Sequence, residues 1–291
     1  LKPRSAHPCA NCKTTQKKSG PSIKNHRSNM PPDSAFTYGL INTLRELHAL
    51  HPAAIVFENL DVLLKRPIQL DMEALVRKLI HHRRGGYCYE QNTLFKAALQ
   101  TIGFSVTSLA ARVQWRYPEG SVTPRAHMVL RIRLPDSDYI ADVGFGLMTL
   151  TAPLRLQTGI EQPTPHGLYR LIPIGDEMRL EAKTSEGWAA IYQISLQEQT
   201  SADWEVQNWY TSTNPNSRFT RDLMAARPAE KRRYGLLNNF LSTYYLDGTT
   251  ERRMIETPQA LETILRNEFD IDILEDHKGI IAGLWQNDRT R

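Results

Sequence analysis

The sequence has only three cysteines among 291 residues, at positions 9, 12 and 88. A sparse and odd cysteine count argues against a disulfide framework and is typical of a reducing compartment. There is also no run of about 18–20 apolar residues, the length that a membrane-spanning helix needs. The first residues lack the apolar segment of about 7–15 residues that marks a secretory signal. We therefore expect a cytoplasmic protein that has no membrane partner.

Acidic residues are absent from the first 30 positions, which hold seven lysines or arginines. The other 29 basic residues and the 31 acidic residues leave positions 31–291 with a formal charge of −2. The net charge of +5 therefore belongs to the N-terminal stretch and not to the rest of the chain. A basic groove for nucleic acid is not predicted in the folded part.

Residues 1–33 are rich in Lys, Ser, Pro and Asn and show no apolar period, so they are predicted to form a disordered basic tail. Cys9 and Cys12 form a C-x-x-C pair, with His7 and His26 nearby, which raises the possibility of a zinc site. A structural zinc site needs four ligands, and no second pair completes the set. We therefore expect no metal.

The rest of the chain changes its periodicity twice. Residues 34–104 show helical spacing, with helices predicted over 36–50, ending before Pro52, and over 71–82, capped by Asp71. A third helix is predicted from Tyr87 or Cys88 to near Gly103. Residues 105–210 alternate with a period of two, which predicts strands. The sequence thus predicts a helical unit followed by a β unit.

Residues 211–291 form a third, mixed unit. The segment 235–246 is predicted to be one strand, followed by a hairpin turn at Asp247–Gly248. A capped helix is predicted after Thr257.

Cys88 stands in RRGGYCYEQN, after a Gly-Gly pair and at the predicted start of a helix. A helix N-terminus and a nearby imidazolium both favour the thiolate that a nucleophile requires. Glycines at positions 85 and 86 would form the turn into the helix and let backbone N–H groups approach a reacting carbonyl oxygen. Position alone leaves two interpretations open, a nucleophile and a buried structural cysteine.

A partner for Cys88 must come from the nine histidines. Four of them, His48, His51, His81 and His82, lie near predicted helix ends, where we expect exposure. His127 differs because it opens a strand, in RAHMVLRIRL. Asp142 closes the next strand, in YIADVGFG. This pair is the best candidate for a base and its orienting carboxylate.

A hairpin that turns at Asp136–Ser137 places His127 and Asp142 on the same side of the two strands. In that register, however, Asp142 lies opposite Arg131, four residues or about 13 Å from His127. A His–Asp hydrogen bond then needs an even shift in register or a bulge. A cross-strand ion pair between Arg131 and Asp142 stays open as the alternative.

The segments RRGGYCYEQNTLF, PRAHMVLRI and YIADVGFG, in this order, resemble the arylamine N-acetyltransferases, and the bacterial branch in particular. Three further segments agree: IVFENLDVLLKRPIQLD, LTAPLRLQTGIEQPTPHGLYRL and NWYTSTNPNSRF. The resemblance extends from about Leu44 over more than four fifths of the chain.

The resemblance implies an α+β multidomain fold, with a helical bundle (34–104) that carries the nucleophile, a β-barrel (105–210) and an α/β lid (211–291). It implies a papain-like triad, in which Cys88 is the nucleophile, His127 is the base and later proton donor, and Asp142 orients the histidine. It also implies acetyl-coenzyme A as the acetyl donor, through an acetyl-cysteine. The implied acceptor is an arylamine, an arylhydrazine or an N-hydroxyarylamine.

Phe57 and Phe145 match the family positions that line the acceptor slot, and core packing is the alternative for both. Gly144 and Gly146 are expected to border the coenzyme A cleft. Leu147 stands where bacterial members often have glycine, and it could narrow that cleft. Members also begin with a short helix that residues 1–33 do not show, so we expect reduced stability and a Tm below about 60 °C.

Three other functions compete with acetyl transfer. A cysteine hydrolase, such as an amidase or peptidase, would use the same triad but needs water at the acyl-enzyme. An amide synthase would join another acyl chain to an aryl amine. An inactive binding module belongs to a different class, and the presence of Cys88, His127 and Asp142 argues against it.

Overall fold

A computed structural model describes residues 32–287, so the predicted disordered tail and the C-x-x-C pair lie outside the described residues. The helices are α1 (Pro32–Ala54), α2 (Leu60–Leu63), α3 (Met72–Leu75, continued as a π-helix over Val76–His81), α4 (Cys88–Thr101), α5 (Ser201–Thr213), α6 (Pro258–Asn267) and α7 (Glu275–Asn287). A 3₁₀ turn covers Arg218–Thr220. Within the described residues, no helix is both long enough and apolar enough to cross a bilayer.

Eight antiparallel strands form a nearly closed, barrel-like sheet. They are β2 (Ser105–Val113), β3 (His127–Arg133), β4 (Asp138–Ala141), β5 (Leu154–Arg155), β6 (Glu161–Thr164), β7 (Gly167–Ile174), β8 (Glu177–Thr184) and β9 (Gly187–Glu198). Their order across the sheet is β5-β4-β3-β2-β9-β8-β7-β6. The mixed helix and barrel-like architecture agrees with the predicted fold class at this coarse level.

Five further antiparallel strands form a second sheet. They are β1 (Phe57–Glu58), β10 (Met224–Ala229), β11 (Arg232–Leu237), β12 (Phe240–Tyr245) and β13 (Thr250–Met254), paired in that order. Because β1 comes from the helical region and pairs with β10, the first and last parts of the chain share one sheet. The helix α5 runs across the predicted boundary at residue 210. The division at residues 104 and 210 stays a prediction.

Two caps confirm the local sequence signals. The Asp71 side chain accepts a hydrogen bond from Ala74 N at 2.9 Å, and the Thr257 side chain accepts one from Ala260 N at 3.2 Å. Each bond satisfies one of the backbone donors that a helix leaves unpaired at its start. The predicted turn at Asp247–Gly248 joins β12 to β13 and is also confirmed.

Two boundary predictions are wrong. The first helix does not end before Pro52 but continues to Ala54, because a proline in the last turn removes only one intrahelical hydrogen bond. The segment 235–246 is not one strand, since β11 and β12 pair with each other around Asn238 and Asn239. Asn238 adopts a φ of 52°, a left-handed conformation that asparagine tolerates better than most residues.

The main core lies between α1, α4 and one face of strands β2 to β4. Its buried apolar members include Leu44, Phe95, Leu99, Leu130 and Ile132. The opposite face of these strands points into the barrel, where the core includes Val129, Ile140, Tyr169 and Tyr192. The start of α4 and the ends of β3 and β4 therefore meet across well-packed layers.

Candidate active site

Cys88 is the first residue of α4, and its side chain is buried. The helix start is fixed by Glu90, whose Oε2 accepts a hydrogen bond from Tyr87 N at 3.0 Å. Glu90 is itself held by Lys78, with Nζ 2.7 Å from Oε1. The predicted helix start is confirmed, and the thiol lies at the positive end of the helix dipole.

Gly85 and Gly86 do not form the predicted turn into the helix. Gly86 N donates to Val56 O at 3.2 Å, and Gly86 O accepts from Glu58 N at 3.2 Å, so the pair lies along β1 as an extended segment. The N–H group of Gly86 is thus already used and is not free for a reacting carbonyl oxygen. The glycines are needed for close packing instead, because a Cβ on Gly85 would lie 2.3 Å from Val56 O.

We expect Gly85→Ala to lower the free energy of unfolding by about 1–3 kcal/mol, because the new methyl group meets a backbone oxygen that cannot rotate away. Urea unfolding measures the change. Gly39→Ala is the matched control, since a Cβ there meets nothing within 4 Å and lies on α1. That control is expected to be neutral or stabilising by up to about 1 kcal/mol. Equal effects of the two variants would contradict the packing role of Gly85.

His127 and Asp142 are brought together by the hairpin of β3 and β4. The observed pairs include Leu130 with Ala141, so the register differs by two residues from the predicted one. The turn is centred on Pro135–Asp136, where proline's fixed φ is favourable. His127 Nε2 donates to Asp142 Oδ2 at 2.7 Å.

The alternative ion pair between Arg131 and Asp142 is contradicted. Arg131 lies opposite Ile140, and its Nε donates to Asp138 Oδ2 at 2.7 Å. Both registers keep His127 and Asp142 on the same side of the strands, because a shift of two residues preserves the pleat.

Asp142 is fully buried and accepts further hydrogen bonds at its second oxygen. Asn92 Nδ2 and Gly144 N both donate to Asp142 Oδ1, each at 3.0 Å. Asn92 also accepts from Val143 N at 3.1 Å and donates to Met128 O at 2.9 Å, so it ties α4 to β3 and to the segment after β4. Asn92 is not among the site residues predicted from the sequence. Its spacing of four residues from Cys88, which places both on one helix face, was the available signal.

The electrostatic environment favours a charged pair of the His127 imidazolium and the Asp142 carboxylate. Burial by itself would lower the pKa of His127, but the Asp142 carboxylate and the Cys88 sulfur outweigh burial and raise that pKa to about 10. Burial would raise the pKa of Asp142, but the His127 imidazolium and the surrounding donors hold it below its usual range. Cys88 lies close enough to His127 for its sulfur to contribute to this raised pKa. The three side chains are therefore neighbours.

Cys88 and His127 open onto a cavity of about 360 Å³. The predicted site residues Phe57, Gly144, Phe145 and Gly146 line the same cavity. The ring of Phe145 stands edge-on to His127 with centroids 5.0 Å apart, and the ring of Tyr192 lies 5.1 Å away on another side. Asp142 lies behind His127 and does not line the cavity.

Both glycines of the GFG loop are required by close approach. A Cβ on Gly144 would lie 2.8 Å from Cys88 Cα. Gly146 has a φ of 85°, which favours glycine, and a Cβ there would lie 3.3 Å from the Phe57 ring. Leu147, expected to narrow the cleft, lines the cavity and packs against Gly235 of β11, where a Cβ would lie 2.9 Å from Leu147 Cδ1.

Two histidines that we expected to be exposed are part of this framework. His48 is buried, and its Nε2 accepts a hydrogen bond from Asp142 N at 3.1 Å. His51 Nε2 donates to Gln91 Oε1 at 2.7 Å. Leu44, His48 and His51 are spaced by four and three residues, so they share the buried face of α1. That spacing could have identified both histidines.

Burial lowers the pKa of His48 to about 3 and that of His51 to about 4. In the unfolded chain both histidines have a pKa near 6.5. Between the lowered pKa of the folded state and pH 6.5, the unfolded state therefore binds more protons than the folded state. Stability is therefore lost as the pH falls below 6.5, by about 2 kcal/mol for His51 between pH 7 and pH 5.

We expect the loss of unfolding free energy from pH 7 to pH 5 to be about 2 kcal/mol smaller in His51→Gln, whose amide can still donate to Gln91. Urea unfolding of both proteins at the two pH values measures this difference. The same pH dependence in the variant and in the wild type would contradict a neutral, partly buried His51.

Comparisons with known proteins agree with the geometry. A family model described as N-acetyltransferase matches residues 40–278. The chain is 43% identical over 234 residues to a Salmonella typhimurium protein named arylamine N-acetyltransferase / N-hydroxyarylamine O-acetyltransferase, with 80% of this chain and 83% of that protein covered. The chain belongs to the arylamine N-acetyltransferase family.

Other arylamine N-acetyltransferases match over similar lengths. The Escherichia coli protein is 40% identical over 80% of this chain and 83% of its own. Among solved structures, a Mycobacterium marinum arylamine N-acetyltransferase in complex with CoA has a TM-score of 0.80 and 38% identity, covering 84% of this chain and 93% of that one. The Escherichia coli, Salmonella typhimurium and Mycolicibacterium smegmatis relatives, which match over four fifths of the chain, are bacterial, and this confirms the predicted branch.

Proposed function

We propose that this protein transfers an acetyl group from acetyl-coenzyme A to arylamines, arylhydrazines or N-hydroxyarylamines through an acetyl-cysteine at Cys88. The observation that carries the proposal is the buried hydrogen bond between His127 and Asp142, with Cys88 and His127 at one wall of a largely apolar cavity. The family supports the same activity, since relatives are named for arylamine and N-hydroxyarylamine acetylation and one solved relative holds CoA.

In this proposal the three side chains form a papain-like triad on an α+β scaffold. Asp142 holds the Nε2 proton of His127, so the other ring nitrogen faces Cys88. Cys88 Sγ attacks the acetyl carbonyl of the thioester, and a new carbon–sulfur bond forms. The bond to coenzyme A then breaks, and His127 supplies the proton that the departing thiol needs.

The second half-reaction uses the same groups in the opposite direction. The acceptor nitrogen attacks the acetyl-cysteine carbonyl, and His127 takes the proton that this nitrogen loses. The bond to Cys88 breaks and returns the sulfur as a thiolate. An aniline-like nitrogen is largely unprotonated at neutral pH, so the site must supply position and an apolar surface more than a strong base.

Phe57 and Phe145 are proposed to bind the aryl ring, because both line the cavity next to the reacting groups. Gly144 and Gly146 are proposed to let the acetyl donor approach the backbone beside Cys88. A second cavity of about 1210 Å³ adjoins the first and shares Trp115, Arg116, Tyr117 and Tyr244 with it. The site therefore has room for a donor larger than its acetyl group.

A comparison of acetyl-coenzyme A consumption with and without 4-methylaniline tests the function. We expect consumption to be faster with the amine and the product to be the N-acetylated amine. Equal rates, with free acetate as the product, would instead identify a cysteine hydrolase. Slow use of acetyl-coenzyme A but rapid use of a longer acyl donor would favour the amide synthase alternative.

A further inference from the structure

The loop after β2 places an arginine at the mouth of the active-site cavity. Tyr117 N donates to Gln114 O at 3.0 Å, which closes a four-residue turn, and Arg116 occupies its third position with a φ of 64°. Glycine or asparagine is favoured at a turn position with positive φ, because a side chain there is strained. Arg116 therefore occupies this position despite a conformational cost.

Arg116 is held over the cavity by two neighbours. Its guanidinium lies 5.7 Å from the centroid of the Trp115 ring, and its Nη2 donates to Tyr244 Oη at 2.7 Å. Tyr244 belongs to β12, so the contact connects the barrel to the second sheet. One donor of the planar guanidinium is used here, and others remain for a ligand.

The described residues that line the cavity include basic side chains and no carboxylate. Arg116, Arg218 and His127 are basic, and His127 is paired with Asp142 behind it. Arg218 Nε lies 3.5 Å from Asp222 Oδ2, a carboxylate outside the lining. Arg116 makes no ion pair with a carboxylate in the part of the chain that the structure describes. Among the described residues that line the cavity, Arg116 is therefore the cation that has no carboxylate partner.

We propose that Arg116 is a specificity-determining residue that binds a carboxylate on the aryl ring of the acceptor. The inference rests on the proposed function and adds the residue that selects acceptors with a ring carboxylate over neutral ones. A ring that lies against Phe57 and Phe145 with its amine at Cys88 directs a substituent on its far side away from the sulfur. The guanidinium fork matches a carboxylate with two hydrogen bonds. A phosphate of the acetyl donor is the other oxyanion that could reach Arg116.

The test uses the whole enzyme and Arg116→Asn, because asparagine tolerates positive φ and carries no charge. Both proteins are first acetylated with 4-nitrophenyl acetate, which has no phosphate, and are then given 4-aminobenzoate or the neutral 4-aminobenzamide. We expect the wild type to favour 4-aminobenzoate and Arg116→Asn to lower its kcat/KM about tenfold. The value for 4-aminobenzamide should stay within about twofold.

Arg252→Asn is the matched control, since Arg252 is exposed on β13 and packs over the Phe240 ring, away from the cavity. It should leave the ratio of the two acceptors unchanged. Thermal melts show whether Arg116→Asn is folded.

An unchanged acceptor ratio in Arg116→Asn would overturn the proposal. So would a defect confined to acetylation by acetyl-coenzyme A, which would assign Arg116 to a donor phosphate. Failure of the proposed function is distinguishable, because the wild type would then acetylate neither acceptor.

Discussion

Asp142→Asn is expected to lower kcat/KM for arylamine acetylation by about 10³–10⁴-fold while leaving the protein folded. Asn92 Nδ2 and Gly144 N both donate to Oδ1 of Asp142, so an asparagine must place its own oxygen there. Its NH₂ group then donates a hydrogen bond to His127 Nε2. In the wild type, Nε2 instead donates a hydrogen bond to the Asp142 carboxylate. The His127 proton moves to the nitrogen facing Cys88, which is the wrong tautomer for a base.

Steady-state kinetics with 4-methylaniline and acetyl-coenzyme A measure this loss, with circular dichroism and a thermal melt as checks on folding. Asp138→Asn is the matched control, because Asp138 lies on the same hairpin and pairs with Arg131 away from the cavity. Its kcat/KM should stay within about threefold of the wild type. A folded Asp142→Asn protein that loses less than about tenfold would contradict the orienting role of Asp142.

Lys78→Met is expected to lower the free energy of unfolding by about 3–5 kcal/mol, the largest loss of stability that we predict. Lys78 Nζ lies 2.7 Å from both Asp61 Oδ2 and Glu90 Oε1. Glu90 is buried, and burial already raises the pKa of its carboxyl against the opposing effect of Lys78. Removing the lysine leaves that carboxylate buried without its cation.

The double variant Lys78→Met/Glu90→Gln separates the buried charge from lost packing. The introduced amide keeps an oxygen for the N–H group of Tyr87, which donates to Glu90 Oε2 at 3.0 Å in the wild type. We therefore expect the double variant to recover a large part of the stability lost in Lys78→Met. Urea unfolding of the three proteins measures both changes. A loss below about 1 kcal/mol in Lys78→Met would contradict the account of this ion cluster.

Local features of the fold were predictable from sequence because neighbouring residues determine them. The caps at Asp71 and Thr257 depend on side chains within three residues of the helix start. The start of α4 at Cys88 was predicted from the Gly-Gly pair before it, and in the structure Glu90 at the third helical position fixes it. These signals placed the candidate nucleophile at a helix N-terminus without any knowledge of the tertiary fold.

For His127 and Asp142, the sequence predicted only that both residues lie on the same side of the hairpin. Alternation fixes which side of the hairpin each residue occupies, and both registers satisfy that pattern. Pro135 decides between them by favouring a turn one residue earlier, which brings the carboxylate within 2.7 Å of the imidazole. A shift of two residues therefore separates a cross-strand ion pair with Arg131 from the observed hydrogen bond.

Contacts between distant segments could not be predicted from periodicity. Gly86 pairs with β1, about 30 residues earlier, so its N–H group is used in a way that no local pattern indicates. His48 meets Asp142 across 94 residues, although its place on the buried face of α1 is readable. Arg116 reaches Tyr244 across 128 residues, and only the folded chain places its charge at the cavity.

The acetyl-cysteine is tested most directly by intact mass spectrometry after the protein is mixed with acetyl-coenzyme A in the absence of an acceptor. We expect a mass increase of about 42 Da, the mass of one acetyl group, that is absent from Cys88→Ala and disappears when 4-methylaniline is added. A folded protein that gains no acetyl group, or a Cys88→Ala variant that gains one equally, would contradict acetyl transfer through Cys88.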